Sequence, residues 1–202
     1  MAESKVSPIS GSRRERKRRH LANQVAAIAF ELFEAHGYEA VTMEQVAAAA
    51  DIAKGTLYKY FPLKEELLAH QFERDIASGM SALWQILAQQ NSFAAQLKSL
   101  LHASAKWYEA RRRYLPHYVR HQSTRYDRPS RSRQLYERLC LLGQTRGDVR
   151  SDVSAAQLAV MLESMCLGAI MLWLATPGAK LKGEFDALRV VAANGVGIGA
   201  PE

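Results

Sequence analysis

Residues 42–64 constrain the fold more tightly than any other stretch, because they encode two short helices joined by a tight turn. Thr42 followed three residues later by Gln45 is a capping-box pattern. The hydroxyl accepts the third backbone N–H of a helix, and the carboxamide reaches back to the cap's own N–H. Val46, Ala47 and Ala50 then form a narrow apolar stripe at helical spacing, with alanines small enough to let a second helix cross at close range. Asp51 falls where the first helix must end, and Asp tolerates a left-handed backbone better than most residues. A second helix is predicted from about Lys54 to Phe61. It turns Leu57 and Phe61 inward and leaves Thr56, Lys59 and Tyr60 outward.

Read from Thr42 to Leu67, the pattern is T-x-x-x-V-A-x-x-A-x-I-x-K-G-T-L-Y-x-Y-F-x-x-K-E-x-L. It closely resembles the N-terminal helix-turn-helix of TetR-family transcriptional regulators. The preceding helix ending at Ala35, His36, Gly37 and Tyr38 fits as well, so the resemblance covers about the first third of the chain. Asp51, Ala53 and Leu63 depart from the family pattern, which has Gly, a capping Ser and a polar cap there. An Ala at an N-cap forfeits about 0.5–2 kcal/mol relative to Ser. The resemblance implies that Thr42 and Lys64 are backbone clamps at helix starts. It makes Lys54, Gly55 and Thr56 the groove-facing start of a reading helix, and gives Tyr58, Lys59 and Tyr60 phosphate and base-edge contacts.

The 202 residues are 48% hydrophobic, enough for a real core, and carry a net charge of +7 with a pI near 9.5. That balance favours an anionic partner, and the position of the charge matters more than its sum. Residues 1–12, rich in Ser with Pro8 and Gly11, read as a disordered tail. Residues 13–19 follow with six cations against Glu15. They fit either a solvated tail or an arm on DNA backbone or minor groove, with Arg16 and Arg18 as contacts. Leu21, Val25, Ile28, Ala29, Leu32 and Phe33 mark a first helix that ends at Gly37. Residues 13–62 are thus expected to form the DNA-binding domain. Cys140 and Cys166 are both set in apolar helical patterns, which argues against a disulfide framework or four-ligand metal site. With no secretory signal and an uncharged stretch, Ser164–Ala179, too short to span a bilayer, a cytoplasmic protein without membrane attachment is expected.

Residues 63–202 read as a helical ligand-binding and dimerisation domain, making the chain all-α. A long helix from Lys64 carries Leu68, Phe72, Ile76, Met80, Leu83 and Leu87 on one face. Helices are expected over 92–108, 130–146 with Leu135, Leu139 and Leu142 inward, 154–175 and 183–194. A break falls at Asp127–Ser130. Residues 106–138 hold ten Lys or Arg against three acids. This is either a solvated face or a site for an anionic or aromatic effector, with Arg112, Arg113 and Arg120 as guides and Trp107, Tyr108 and Tyr118 as apolar wall. His117 and His121 share a helical face, but no third metal ligand accompanies them.

The helix over 154–175 is apolar enough either for the core or for a partner. The family resemblance favours a dimer interface involving Leu158, Leu162, Met165, Gly168, Ala169 and Leu172. Gly195 to Gly199 is glycine-rich, but no strand precedes it, so a phosphate loop is discounted for a flexible tail. No catalytic motif, metal site or cofactor is implied. The expected function is a dimeric repressor on a palindromic operator in double-stranded DNA, released by a small-molecule effector. An activator or DNA-bound adaptor would use the same reading helices.

Overall fold

In the computed structural model, residues 12–123 and 130–196 are described. Among them are nine α-helices and one 3-10 turn, with no strand. The chain divides into two compact units, Met1–Gln71 and Phe72–Glu202. The readings of residues 1–11, of Asp127 to Pro129 with Arg125 and Arg128, and of Gly197 and Gly199 lie outside the described residues.

The first unit opens with α1 (Arg13–His36). Ser12 caps it: the Ser12 hydroxyl accepts from the Glu15 N–H and the Glu15 carboxylate accepts from the Ser12 N–H at 2.7 Å. The single acid of the basic run therefore starts the helix, and residues 13–19 form its first turns. Val25, Ala26, Ala29 and Phe33 are fully buried along one side. Gly37, at φ +85°, ends α1 with its N–H on the Phe33 carbonyl at 3.0 Å. α2 (Met43–Ala49) carries the Thr42–Gln45 capping box, Asp51 turns the chain at φ +51°, and α3 (Lys54–Tyr60) follows. Val46 and Leu57 have no exposed surface, and burial of such side chains contributes about 1.5–3 kcal/mol each. α4 (Lys64–Ala88) begins in this unit, where His70 Nε2 meets Asn23 Oδ1 at 2.8 Å and the rings of Phe61 and His70 pack edge-on.

The second unit comprises the rest of α4, then α5 (Phe93–Glu109), a 3-10 turn (Arg112–Tyr114), α6 (Leu115–Ser123), α7 (Arg131–Arg146), α8 (Ala155–Ala175) and α9 (Leu181–Val196). α8 packs between α7 and α9, and α9 packs on α5. Gly147, at φ +83°, stops α7. Gly143, rather than Leu142, faces inward: a Cβ there would stand 2.3 Å from Val149 Cγ2, whereas Leu142 is 39% exposed. α9 is longer than its polar ends imply, because Leu181, Phe185, Leu188 and Ala192 all reach the core. Gly195 and Val196 accordingly belong to the helix rather than to a tail. α8 is also long and apolar enough to cross a membrane by length and composition, unlike the shorter Ser164–Ala179 stretch.

Candidate nucleic-acid interface and ligand cavity

α3 presents Lys54, Gly55, Tyr58 and Lys59 to solvent, with Thr56 and Tyr60 partly exposed and Leu57 and Phe61 anchoring its other side. Thr56, Lys59 and Tyr60 form one wall of an open groove of about 930 Å³, whose other wall is Arg13, Arg14, Glu15, Lys17, Arg18 and Leu21 of α1. The Arg18 guanidinium lies 5.6 Å from the Tyr60 ring centre. Arg14, Arg18 and Leu21 share a face at helical spacing. Arg16 is exposed but does not line this groove. The 13–19 run reads in sequence as an arm taken as a whole, with Arg16 and Arg18 singled out; recognising Ser12 and Glu15 as a capping box would have placed Arg13, Arg14 and Lys17 beside Arg18 on the groove wall.

Lys54 is ion-paired with Glu44 of α2 and lies 5.8 Å from the Tyr58 ring centre. The hydrogen bond between them holds the Glu44 carboxyl below its usual range and raises the Lys54 ammonium. Thr42 is exposed, its hydroxyl occupied by the Gln45 N–H at 3.2 Å. Lys64, expected as a DNA clamp, is engaged within its own unit. Its ammonium donates to the carbonyls of Tyr38 at 2.8 Å and Val41 at 3.1 Å and lies 4.3 Å from the Tyr38 ring centre. Two of its three donors hold the connection between α1 and α2.

The second unit contains two neighbouring cavities that share Tyr108, Ser132 and Tyr136 as wall. The larger, about 210 Å³, is mainly apolar, with Ile76, Met80, Leu83, Leu100, Trp107 and Leu135. The smaller, about 60 Å³, adds polar groups to a still largely apolar wall: Tyr118, Gln122, Arg133 and Glu163 meet there beside Cys166 and Ile170. Arg133 Nε donates to Glu163 Oε2 at 2.6 Å, and the Ser130 hydroxyl donates to the other carboxylate oxygen. The Gln122 amide donates to the Tyr118 hydroxyl at 2.7 Å, and Tyr136 Oη contacts Cys166 Sγ at 3.1 Å. Burial pushes the phenols of Tyr108, Tyr118 and Tyr136 well above their ordinary range and the Cys166 thiol up to about 12.

Trp107, Tyr108 and Tyr118 thus belong to cavity walls, but the expected arginines do not. Arg112 stacks 4.4 Å from the Trp173 ring centre, Arg113 stacks 4.7 Å from that of Tyr114, and Arg120 is exposed. An aromatic face holds the first two at lower cost than an enclosed charge. The cation that does reach the cavity, Arg133, is 30 residues from its partner Glu163, so no local pattern marks the pair.

Two of the residues expected at a dimer interface also change place. Leu158 and Leu162 are 2% and 0% exposed inside their own chain. Met165 and Ala169 are partly exposed, and Gly168 and Leu172 are exposed. The outer face of α8 instead runs through Val160, Met161, Gly168, Met171 and Leu172, and α9 adds Val190 and Val191.

Comparison with known proteins bears on both units. The profile of bacterial regulatory proteins of the tetR family matches residues 27–70. The KstR transcriptional repressor of Rhodococcus jostii is 46% identical over 69 residues, 32% of this chain and 30% of that protein. The TcmR regulator of Streptomyces glaucescens is 38% identical over 64 residues, 32% of this chain and 28% of that protein. The chain therefore matches about a third of the length of these relatives. Over the whole fold, Thermus thermophilus FadR, a TetR-family repressor in complex with lauroyl-CoA, superposes with a TM-score of 0.75 at 22% identity, covering 90% of this chain and 96% of that one. RolR in complex with resorcinol gives 0.70 at 21% identity, covering 90% of each. Residues 27–70 thus match the tetR-family model of bacterial regulatory proteins, and the chain shares the all-helical fold of these solved structures along nearly its full length.

Proposed function

We propose that this protein is a ligand-responsive transcriptional repressor that binds a palindromic operator as a cytoplasmic homodimer and leaves it when a small molecule occupies the second unit. The observation that carries the reading is the basic groove, where the cationic face of α1 stands opposite Thr56, Lys59 and Tyr60. Such a groove suits a phosphate backbone, while the start of α3, where Gly55 is exposed and Lys54 is paired with Glu44 at the surface, would meet base edges. The match to a relative named as a repressor covers about a third of the chain's length, and FadR and RolR were solved with bound small molecules. The outer apolar face of α8 and α9 supports a two-fold partner, because an exposed patch of this kind on a folded unit calls for a cover.

Ligand response follows from linkage. α4 starts in the first unit and contributes Asp75, Ile76, Gly79, Met80 and Leu83 to the larger cavity. A ligand that prefers one position of α4 weakens operator affinity by that preference and no more. Selection of duplexes from a random pool, followed by titration of the selected palindrome and a scrambled duplex at fixed moderate salt, tests the reading. We expect the palindrome to bind about a thousandfold more tightly or better. Equal affinities would leave only a basic protein that coats DNA.

A further inference from the structure

We infer that the effector is a compact, uncharged molecule, apolar over most of its surface and ending in one carbonyl or hydroxyl oxygen that sits against Tyr118. The inference deepens the effector reading above and rests on it. Its first support is charge. At the polar end of the cavities the charged wall residues are Arg133 and Glu163, paired at 2.6 Å with side chains only 14% and 19% exposed. At the apolar end the charged wall residue is Asp75, which accepts from Arg111 Nη2 at 3.0 Å. Among the described wall residues every charge is thus already matched. A carboxylate or phosphate that took Arg133 would strand Glu163, and an ammonium that took Glu163 would strand Arg133. Breaking a buried pair in this way leaves an uncompensated charge, which is strongly unfavourable.

The second support is hydrogen bonding. The Tyr118 hydroxyl accepts from Gln122, and because burial keeps the phenol protonated it retains its own hydrogen to give. The partner that this donor calls for is an oxygen acceptor, and the matched charges around it are what favour a neutral one. The third is shape. The larger cavity, about 210 Å³ with Trp107, Leu83, Met80 and Leu100 in its wall, suits an apolar body and lies just under the roughly 300 Å³ at which drug-sized sites begin. A one- or two-ring body fits such a space, and a nucleotide-bearing thioester does not.

Three isosteric probes test this by isothermal titration: 2-acetylnaphthalene (neutral), 2-naphthoate (anionic) and 2-naphthylmethylammonium (cationic). We expect the ketone to bind at least tenfold more tightly than either ion. Tyr118→Phe should weaken the ketone by about two- to tenfold, the range of one hydrogen bond, and leave unsubstituted naphthalene unchanged. Glu163→Gln should free Arg133 and so raise naphthoate affinity at least tenfold, inverting the order. Should that variant fail to fold, the wild-type ranking decides alone. Tighter binding of naphthoate or the ammonium to the wild type overturns the inference, as does binding of none of the three. The effector reading itself fails only if no small molecule of any charge, acyl-thioesters included, releases the selected operator.

Discussion

Among the described residues, five helices begin with a side chain that accepts a backbone N–H: Ser12, Thr42, Ser92, Ser130 and Ser154. α3 begins with Ala53, which has no such bond. The helix proposed to read DNA thus starts without a side-chain cap. Ala53→Ser should stabilise the protein by about 0.5–2 kcal/mol, read as a higher Tm in a thermal melt, and an unchanged or lower Tm would contradict the capping argument. Lys64 and Lys59 make a complementary pair of tests. Lys64→Ala removes two partly buried hydrogen bonds to carbonyls and should lower Tm, at a cost of about 1–3 kcal/mol. Lys59→Ala touches an exposed groove residue and should leave Tm within error. It should weaken all duplexes alike and reduce the salt slope by about one per subunit. The opposite division between the two lysines would restore Lys64 as the phosphate contact.

At the scale of elements, the clearest prediction concerns α8. Leu172 and Met171 are exposed on its outer face, so Leu172→Glu should shift sedimentation toward the monomer and abolish high-affinity operator binding while keeping the helical circular dichroism. A dimer that survives the change would move the interface elsewhere. The same helix shows where sequence reading stops. Caps and turns are local chemistry, and Thr42, Gly37, Asp51 and Gly147 could be placed from their immediate neighbours. α8 is apolar all round, so periodicity cannot tell Leu158 and Leu162, which face the core, from Met161 and Leu172, which do not. The cavity was half legible for a similar reason. Aromatic residues of one helix, Trp107 and Tyr108, announce themselves, whereas Arg133 and Glu163 meet only through the packing of α7 against α8. The basic content of residues 106–138 was plain, but charge counts do not say which arginine turns inward.

Over the whole molecule, the second unit should lose stability in acid through a tie between distant helices. Asp186 of α9 accepts from His102 of α5 at 2.7 Å and Lys182 at 3.0 Å, and these bonds, the one to His102 foremost, lower its carboxyl from 3.8 to about 2. A carboxyl depressed in the folded state contributes stability that is fully present above the unfolded value and disappears as pH falls through the folded one. The loss therefore lies between about 4 and 2, and solvent exposure of the pair keeps it modest. Asp186→Asn should lower Tm near neutrality and flatten the fall of Tm across that window, and an unaltered acid limb would remove the tie from the account. A separate consequence follows from the way Ser12 and Glu15 start α1. Because the cationic turns are wound before any duplex arrives, contact has no segment to organise. Calorimetry of operator association should accordingly register displaced ions and water, without the large heat-capacity drop and entropic penalty of a tail that coils only on arrival.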